Sequence, residues 1–132
     1  MGLVPQMTNV QRIRLTPDER LDERISVARL HEAFQGLVPA DDDERVYLII
    51  STGFGRLRGT SEDIVDAAGH HRNISRRLKL RAAVVVTDDL AFGIVRMLAS
   101  HVDDPDYELR PFHEEEEATS WLRECMGQAL PC

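Results

Sequence analysis

Val10-Gln11-Arg12-Ile13-Arg14-Leu15 alternates apolar with polar residues, the pattern of a half-buried strand at the edge of a sheet. Thr16-Pro17-Asp18-Glu19 then combines a capping hydroxyl, a proline suited to the first helical position and a glutamate that can reach back to the cap amide. Leu21, Ile25, Ala28, Leu30, Ala33, Phe34 and Leu37 keep roughly helical spacing until Gly36 and Pro39, so the pattern predicts one helix over 17–37. The β-branched run Ile25-Ser26-Val27 leaves a second arrangement open, a short strand followed by a helix from Ser26. Val46 to Ile50 is apolar on both faces, as a strand covered by helices on each side should be. Gly53, Gly55 and Gly59 mark a long loop, and Thr60-Ser61-Glu62-Asp63 opens a helix whose inner side takes Ile64, Val65, Ala67, Ala68, His71 and Ile74.

Ala82 to Val86 is another covered strand, running into a helix capped by Thr87 or Asp88, with Phe92, Val95, Met97 and Leu98 on its apolar side. After a turn at Asp103-Asp104-Pro105-Asp106, Tyr107 to Phe112 forms a strand whose Pro111 suits an edge. Glu114 to Glu117 then supplies an acidic first turn to a helix burying Ala118, Trp121, Leu122 and Cys125. Four strand–helix units in succession predict an α/β fold, with parallel strands joined by right-handed crossovers.

Composition narrows the setting. With 132 residues the chain is expected to form one domain over 10–127, preceded by a loose leader at 1–9 and followed by a tail at 128–132. Cys125 and Cys132 lie near the end of the chain and no secretory segment is evident, so a reduced cytoplasmic setting is the default expectation. No apolar run approaches a membrane span of ~20 residues. A net charge of -7 argues against nucleic acid as the main partner. The segment from Arg56 to Arg81 runs the other way, with seven basic residues (Arg56, Arg58, Arg72, Arg76, Arg77, Lys79 and Arg81) against Glu62, Asp63 and Asp66. A solvated helix with ordinary arginines accounts for it more simply than a basic face. Asp41-Asp42-Asp43-Glu44 lacks the ligand spacing and central glycine of a calcium loop and reads as a solvated turn.

The strand leading into Asp88-Asp89-Leu90-Ala91-Phe92-Gly93-Ile94-Val95-Arg96-Met97, the following strand ending Arg110-Pro111-Phe112, and Glu115-Glu116-Glu117-Ala118-Thr119-Ser120-Trp121-Leu122 carry a resemblance. Together they are similar to the bacterial SpoIIAA-like proteins, relatives in fold of the STAS and CRAL-TRIO domains. The similarity spans roughly 46–122; the first 45 residues match only in element order. It implies a four- or five-stranded, mainly parallel sheet with about four helices. In STAS relatives that act as anti-sigma factor antagonists, a serine at a helix start after a central strand is phosphorylated and switches partner binding; Thr60 and Ser61 occupy the comparable location. The chain departs from that pattern twice: Ser51 stands where an aspartate is usual, and the Asp-Ser-Ser-Gly motif is absent.

Candidate chemistry gathers at the carboxyl end of the first covered strand, where open α/β sheets place their ligand crevices. Ser51, Thr52, Gly53, Arg56 and Arg58 could cradle and clamp an anion, although neither the spacing nor a following lysine makes a nucleotide loop, and a plain connection explains them more simply. A phosphate on Thr60 or Ser61 would meet helix amides and arginines, whereas capping alone accounts for both residues. His31, His70, His71, His101 and His113 raise the idea of a metal, but adjacent histidines on a helix point about 100° apart, so surface or half-buried histidines and no metal are expected. Phe92, Met97, Trp121 and Met126 read as packed core before they read as a ligand cavity. No nucleophile, base and orienting group recur at informative spacing, and no cofactor is implied.

The sequence therefore leads to a non-enzymatic binding or regulatory module that contacts a protein partner through the loop at 51–61 and the helix it feeds. The alternative is a carrier of a small apolar or anionic ligand in a sheet–helix crevice. An exposed edge strand such as Val10 to Leu15 also invites homodimer pairing.

Overall fold

A computed structural model describes residues 10–17, 23–37, 45–53, 55–102 and 104–127; the expected leader, the C-terminal tail and the acidic turn at 41–44 lie outside them. The elements in chain order are β1 (Val10–Arg14), β2 (Arg24–Ser26), α1 (Val27–Gln35), β3 (Arg45–Ser51), β4 (Arg56–Arg58), α2 (Ser61–Ser75), β5 (Lys79–Val85), α3 (Asp89–His101), β6 (Tyr107–Phe112) and α4 (Glu115–Gly127). The fold is α/β, with a four-stranded parallel sheet in the order β1-β3-β5-β6 and a two-stranded parallel sheet of β2 and β4.

The apolar runs near Leu48 and Val84 are adjacent inner strands, in register Leu48↔Ala82 and Ile50↔Val84. Because strand order follows chain order, crossovers of one hand bring α1, α2 and α3 to the same face. There Leu48, Ile50, Leu80, Ala82 and Val84 pack with residues such as Leu30, Phe34, Ile64, Val95 and Leu98. The alternate positions Ile49 and Ala83 face the other way, onto Ala118, Trp121, Leu122 and Cys125 of α4. Each fully buried leucine or isoleucine contributes about 1.5–3 kcal/mol, and burial on both faces is why these strands read as unbroken apolar runs.

The predicted helix over 17–37 is not formed. Thr16 and Pro17 lie outside any helix, Asp18 to Asp22 fall outside the described residues, and β2 precedes a shorter α1. Ile25 is fully buried and pairs with Leu57, while the Ser26 hydroxyl accepts from the Arg29 amide at 3.1 Å as the cap of α1. Strand pairing by a β-branched residue and a strong capping preference together outweigh the helical spacing upstream. The expected loop at 53–59 likewise contains β4. Gly55 and Gly59 mark close packing there: a Cβ on Gly55 would collide with Ile25 Cδ1, and one on Gly59 with Val27 Cγ2. Two positions assigned to helix interiors prove exposed, Val65 and Met97.

Candidate functional site

The segment 51–61 leaves the carboxyl end of β3, and the structure divides its residues between framework and surface. Thr52 belongs to the framework. It is buried, its amide donates to the Val85 carbonyl at 3.1 Å, and its hydroxyl donates to the same oxygen at 3.2 Å. The loop thus begins tied to the end of β5. Ser51 Oγ accepts from the Gly53 amide at 3.2 Å, and Gly53 takes a left-handed conformation (φ 57°) against the Arg14 guanidinium. The Arg56 amide donates to the Glu23 carbonyl at 2.8 Å, extending the β2–β4 pairing, while the residue itself is exposed.

Arg58 is not an available anion clamp. Its Nη1 and Nη2 donate to Oδ1 and Oδ2 of Asp88 at 3.2 Å each, and Nη1 also donates to the Leu57 carbonyl at 2.7 Å. Asp88 is the cap of α3, accepting from the Ala91 amide at 2.8 Å. Partial burial opposes its ionisation, but the Ala91 amide and the Arg58 fork outweigh that and hold the carboxyl below its ordinary range. The fork therefore locks β4 to the start of α3.

Thr60 and Ser61 have different surroundings. The Thr60 hydroxyl accepts from the Asp63 amide at 3.1 Å and the Thr60 amide donates to Asp63 Oδ2 at 2.9 Å, a reciprocal capping box. Hydrogen bonding of the Asp63 carboxyl to Thr60, to its backbone amide first and then to its side chain, lowers the Asp63 pKa. Ser61, the first residue of α2, is exposed, and among the described residues its hydroxyl has no hydrogen-bond partner. Capping accounts for Thr60 and leaves Ser61 unexplained.

The basic residues between Arg56 and Arg81 do not share one face. Arg58 is held by Asp88, Arg72 donates to the His101 carbonyl at 3.1 Å, and Arg81 is fully buried, donating to the carbonyls of Leu80 at 3.0 Å and Pro105 at 2.9 Å. Nor do the four residues weighed as a cavity lining meet. Phe92 packs on the α1–α3 side of the sheet, Trp121 and Met126 pack on the α4 side, and Met97 faces solvent.

The arrangement of the histidines is the feature that the sequence does not disclose. His71 is fully buried and His31 nearly so, and the ring of His31 stacks on His70 at 4.7 Å and meets the edge of His71 at 5.2 Å. His71 Nδ1 lies 2.7 Å from the Tyr107 hydroxyl, and His31 Nε2 lies 3.1 Å from Gln35 Nε2. Burial first, then the neighbouring imidazoles, pulls the His71 pKa down to about 3; burial and His70 also lower that of His31. Helical geometry separates the directions of His70 and His71, but it carries no sign of α1 laid against both. Among the described residues no three His, Cys, Asp or Glu side chains form a group able to hold a metal.

Two concavities accompany these features. An open groove of about 760 Å³ runs between α3 and β6, with Phe92, Arg96, Val102, Leu109 and Pro111 in its lining. A hollow of about 310 Å³ separates α1 from α2 and is lined by Ser26, His31, Asp63, Asp66 and His70 among others. No helix among the described residues is long and apolar enough to cross a membrane. Compared with known proteins, the chain has no significant match to a family model, a curated protein or a solved structure.

Proposed function

We propose that this chain is a non-enzymatic, SpoIIAA-like binding or regulatory module that engages a protein partner through the 51–61 segment and the first turns of α2. One observation carries the reading: Ser61 is an exposed hydroxyl beside a cap that Thr60 already completes. It stands at the end of a segment anchored by Thr52 to β5, by Arg56 to the residue preceding β2 and by Arg58 to the cap of α3. A surface held on three sides loses little conformational freedom when a partner binds. A phosphate at Ser61 would meet the amide end of α2, where negative charge is favoured. Of the two buried histidines, members of the residue type most often used as a general base, His31 directs Nε2 at Gln35, and His71 directs Nδ1 at the Tyr107 hydroxyl, which belongs to a buried residue and whose ionisation burial opposes.

The test compares partner capture from native extract by wild type, Ser61→Asp and Ser61→Ala, with melting curves of all three. Wild type and Ser61→Ala should capture the same partner while Ser61→Asp changes capture by tenfold or so, about 1.4 kcal/mol, and the melting curves should coincide. Identical capture by all three proteins would remove the switch from the account, and undiminished capture by Arg56→Glu would remove the surface.

A second reading is supported by the α3–β6 groove, whose volume lies in the range of small-molecule sites. In it the chain carries a small apolar or anionic ligand, with Arg96 beside the apolar lining. Native mass spectrometry of freshly purified protein distinguishes the two: a co-purifying small molecule supports the carrier, and its absence in every preparation speaks against it.

A further inference from the structure

The histidine cluster stands at the joint between α1, α2 and β6, and it adjoins the proposed binding surface. His31 comes from α1, His70 and His71 from α2, and Tyr107 from β6. The hollow beside His31 and His70 is also lined by Asp63, the partner of Thr60 in the capping box. α1 is nine residues long and follows β2 without a break; Ile25 of β2 and Val27 at the start of α1 press on Gly55 and Gly59, which flank β4. Any movement of α1 away from α2 therefore loosens the segment that leads to Ser61.

We infer that the His31–His70–His71 cluster is an acid-operated latch: protonation undocks α1 and β2 from α2 and β4 and so remodels the 51–61 surface. The inference deepens the binding-module reading and rests on it for its biological use, but the latch itself is read without a partner.

Geometry sets the direction. Rings 4.7 Å and 5.2 Å apart cannot take up charge without mutual repulsion, and His71 has no exposed surface through which water could screen it. His71 Nε2 and His31 Nδ1 are buried and, among the described residues, have no hydrogen-bond partner, so a proton placed on either nitrogen would have no acceptor. The surrounding groups do not cancel this. Glu32 on α1 favours protonated His31, and Asp63 and Asp66 on α2 line the hollow beside His31 and His70, but burial and the His70 charge outweigh Glu32 at His31. At His71 the only hydrogen-bond contact among the described residues is the Tyr107 hydroxyl, whose own ionisation is pushed up by burial and which stays neutral in acid; Arg77, the charged group acting on that hydroxyl, adds no negative charge.

The sign follows from linkage. Both shifted histidines have their pKa lowered in the closed arrangement from an ordinary 6.5, so docking is at full strength above about that pH and weakens as the pH falls toward 3. Each histidine that is neutral when closed and protonated when open raises the opening constant about tenfold per pH unit across that window.

Amide hydrogen exchange of the full chain, corrected for intrinsic rates, tests this between pH 7.5 and pH 5. Amides of Leu30 to Phe34 and of β2 should lose protection by roughly tenfold or more per pH unit below about pH 6, while Ala82 to Val84 of β5 keep theirs. His71→Phe, which preserves a ring against Phe34, should flatten that dependence, and His31→Phe should do so if the first variant folds poorly. Equal loss in α1 and β5 would mean global acid unfolding and overturn the latch, as would an unchanged profile in both variants. Partner capture at pH 7.5 by wild type and Ser61→Asp is scored separately, so failure of the latch and failure of the binding surface are distinguishable.

Discussion

At the scale of single residues, the decisive positions are those whose role depends on a distant segment. Gly55 looks like a loop glycine, yet a Cβ there would strike Ile25 Cδ1 and crowd the Thr52 carbonyl. A Cβ on Gly93, inside α3, would meet nothing within 4 Å. Opposite outcomes are expected on denaturant unfolding: Gly55→Ala destabilises by about 1–3 kcal/mol through overpacking, and Gly93→Ala stabilises by about 0.5–1 kcal/mol through helix propensity. Equal signs for the two substitutions would contradict the packing described for β4. Arg81 carries the same lesson. It reads as one more member of a basic run, and only the fold shows it buried beneath the carbonyls it serves.

At the scale of elements, the Arg58–Asp88 fork joins the short second sheet to α3 while Asp88 also caps that helix. Asp88→Ala should cost about 2 kcal/mol, near the upper end for loss of a cap. The coupling between Arg58→Ala and Asp88→Ala in a double-mutant cycle should be about 0.5–1 kcal/mol, since their side chains keep 26% and 33% exposure. A coupling near zero would mean that the fork does not hold β4. The longer elements are legible in the sequence because burial on both faces leaves an apolar run and because Thr60-Ser61-Glu62-Asp63 spells a cap within four residues. β2 and β4 are not. Three residues are too few to establish a period, and what makes Arg24–Ser26 and Arg56–Arg58 strands is their pairing with each other. The histidine cluster is hidden for a related reason: His31 and His71 are 40 positions apart, and only the docking of α1 on α2 makes them neighbours.

At the scale of the whole molecule, the two edges of the main sheet differ. Val86 donates to the Phe112 carbonyl, so Phe112 turns its backbone toward β5 and, by the alternation of a strand, Pro111 turns outward with no amide hydrogen to offer. The Tyr107 amide, also on that outer side, donates to the Asp104 carbonyl at 3.1 Å. This edge is poorly suited to strand addition. At the opposite edge the Leu15 amide donates to the Ser51 carbonyl, which leaves the amides of Arg12 and Arg14 facing outward. Antiparallel pairing of two copies along this strand would set arginines beside arginines, an unfavourable cross-strand arrangement. A monomer is therefore expected by light scattering at micromolar concentration, in place of the homodimer that an edge strand alone suggests; a stable dimer would contradict this account of the edges.

The placement of the binding surface on one side of one helix is open to a direct measurement. A photoreactive side chain introduced at Ser61 should cross-link a partner in native extract, whereas the same group at Ser120, exposed on α4 across the sheet, should not. Cross-links of equal yield from both positions, or from Ser120 alone, would contradict the assignment of the surface to the start of α2.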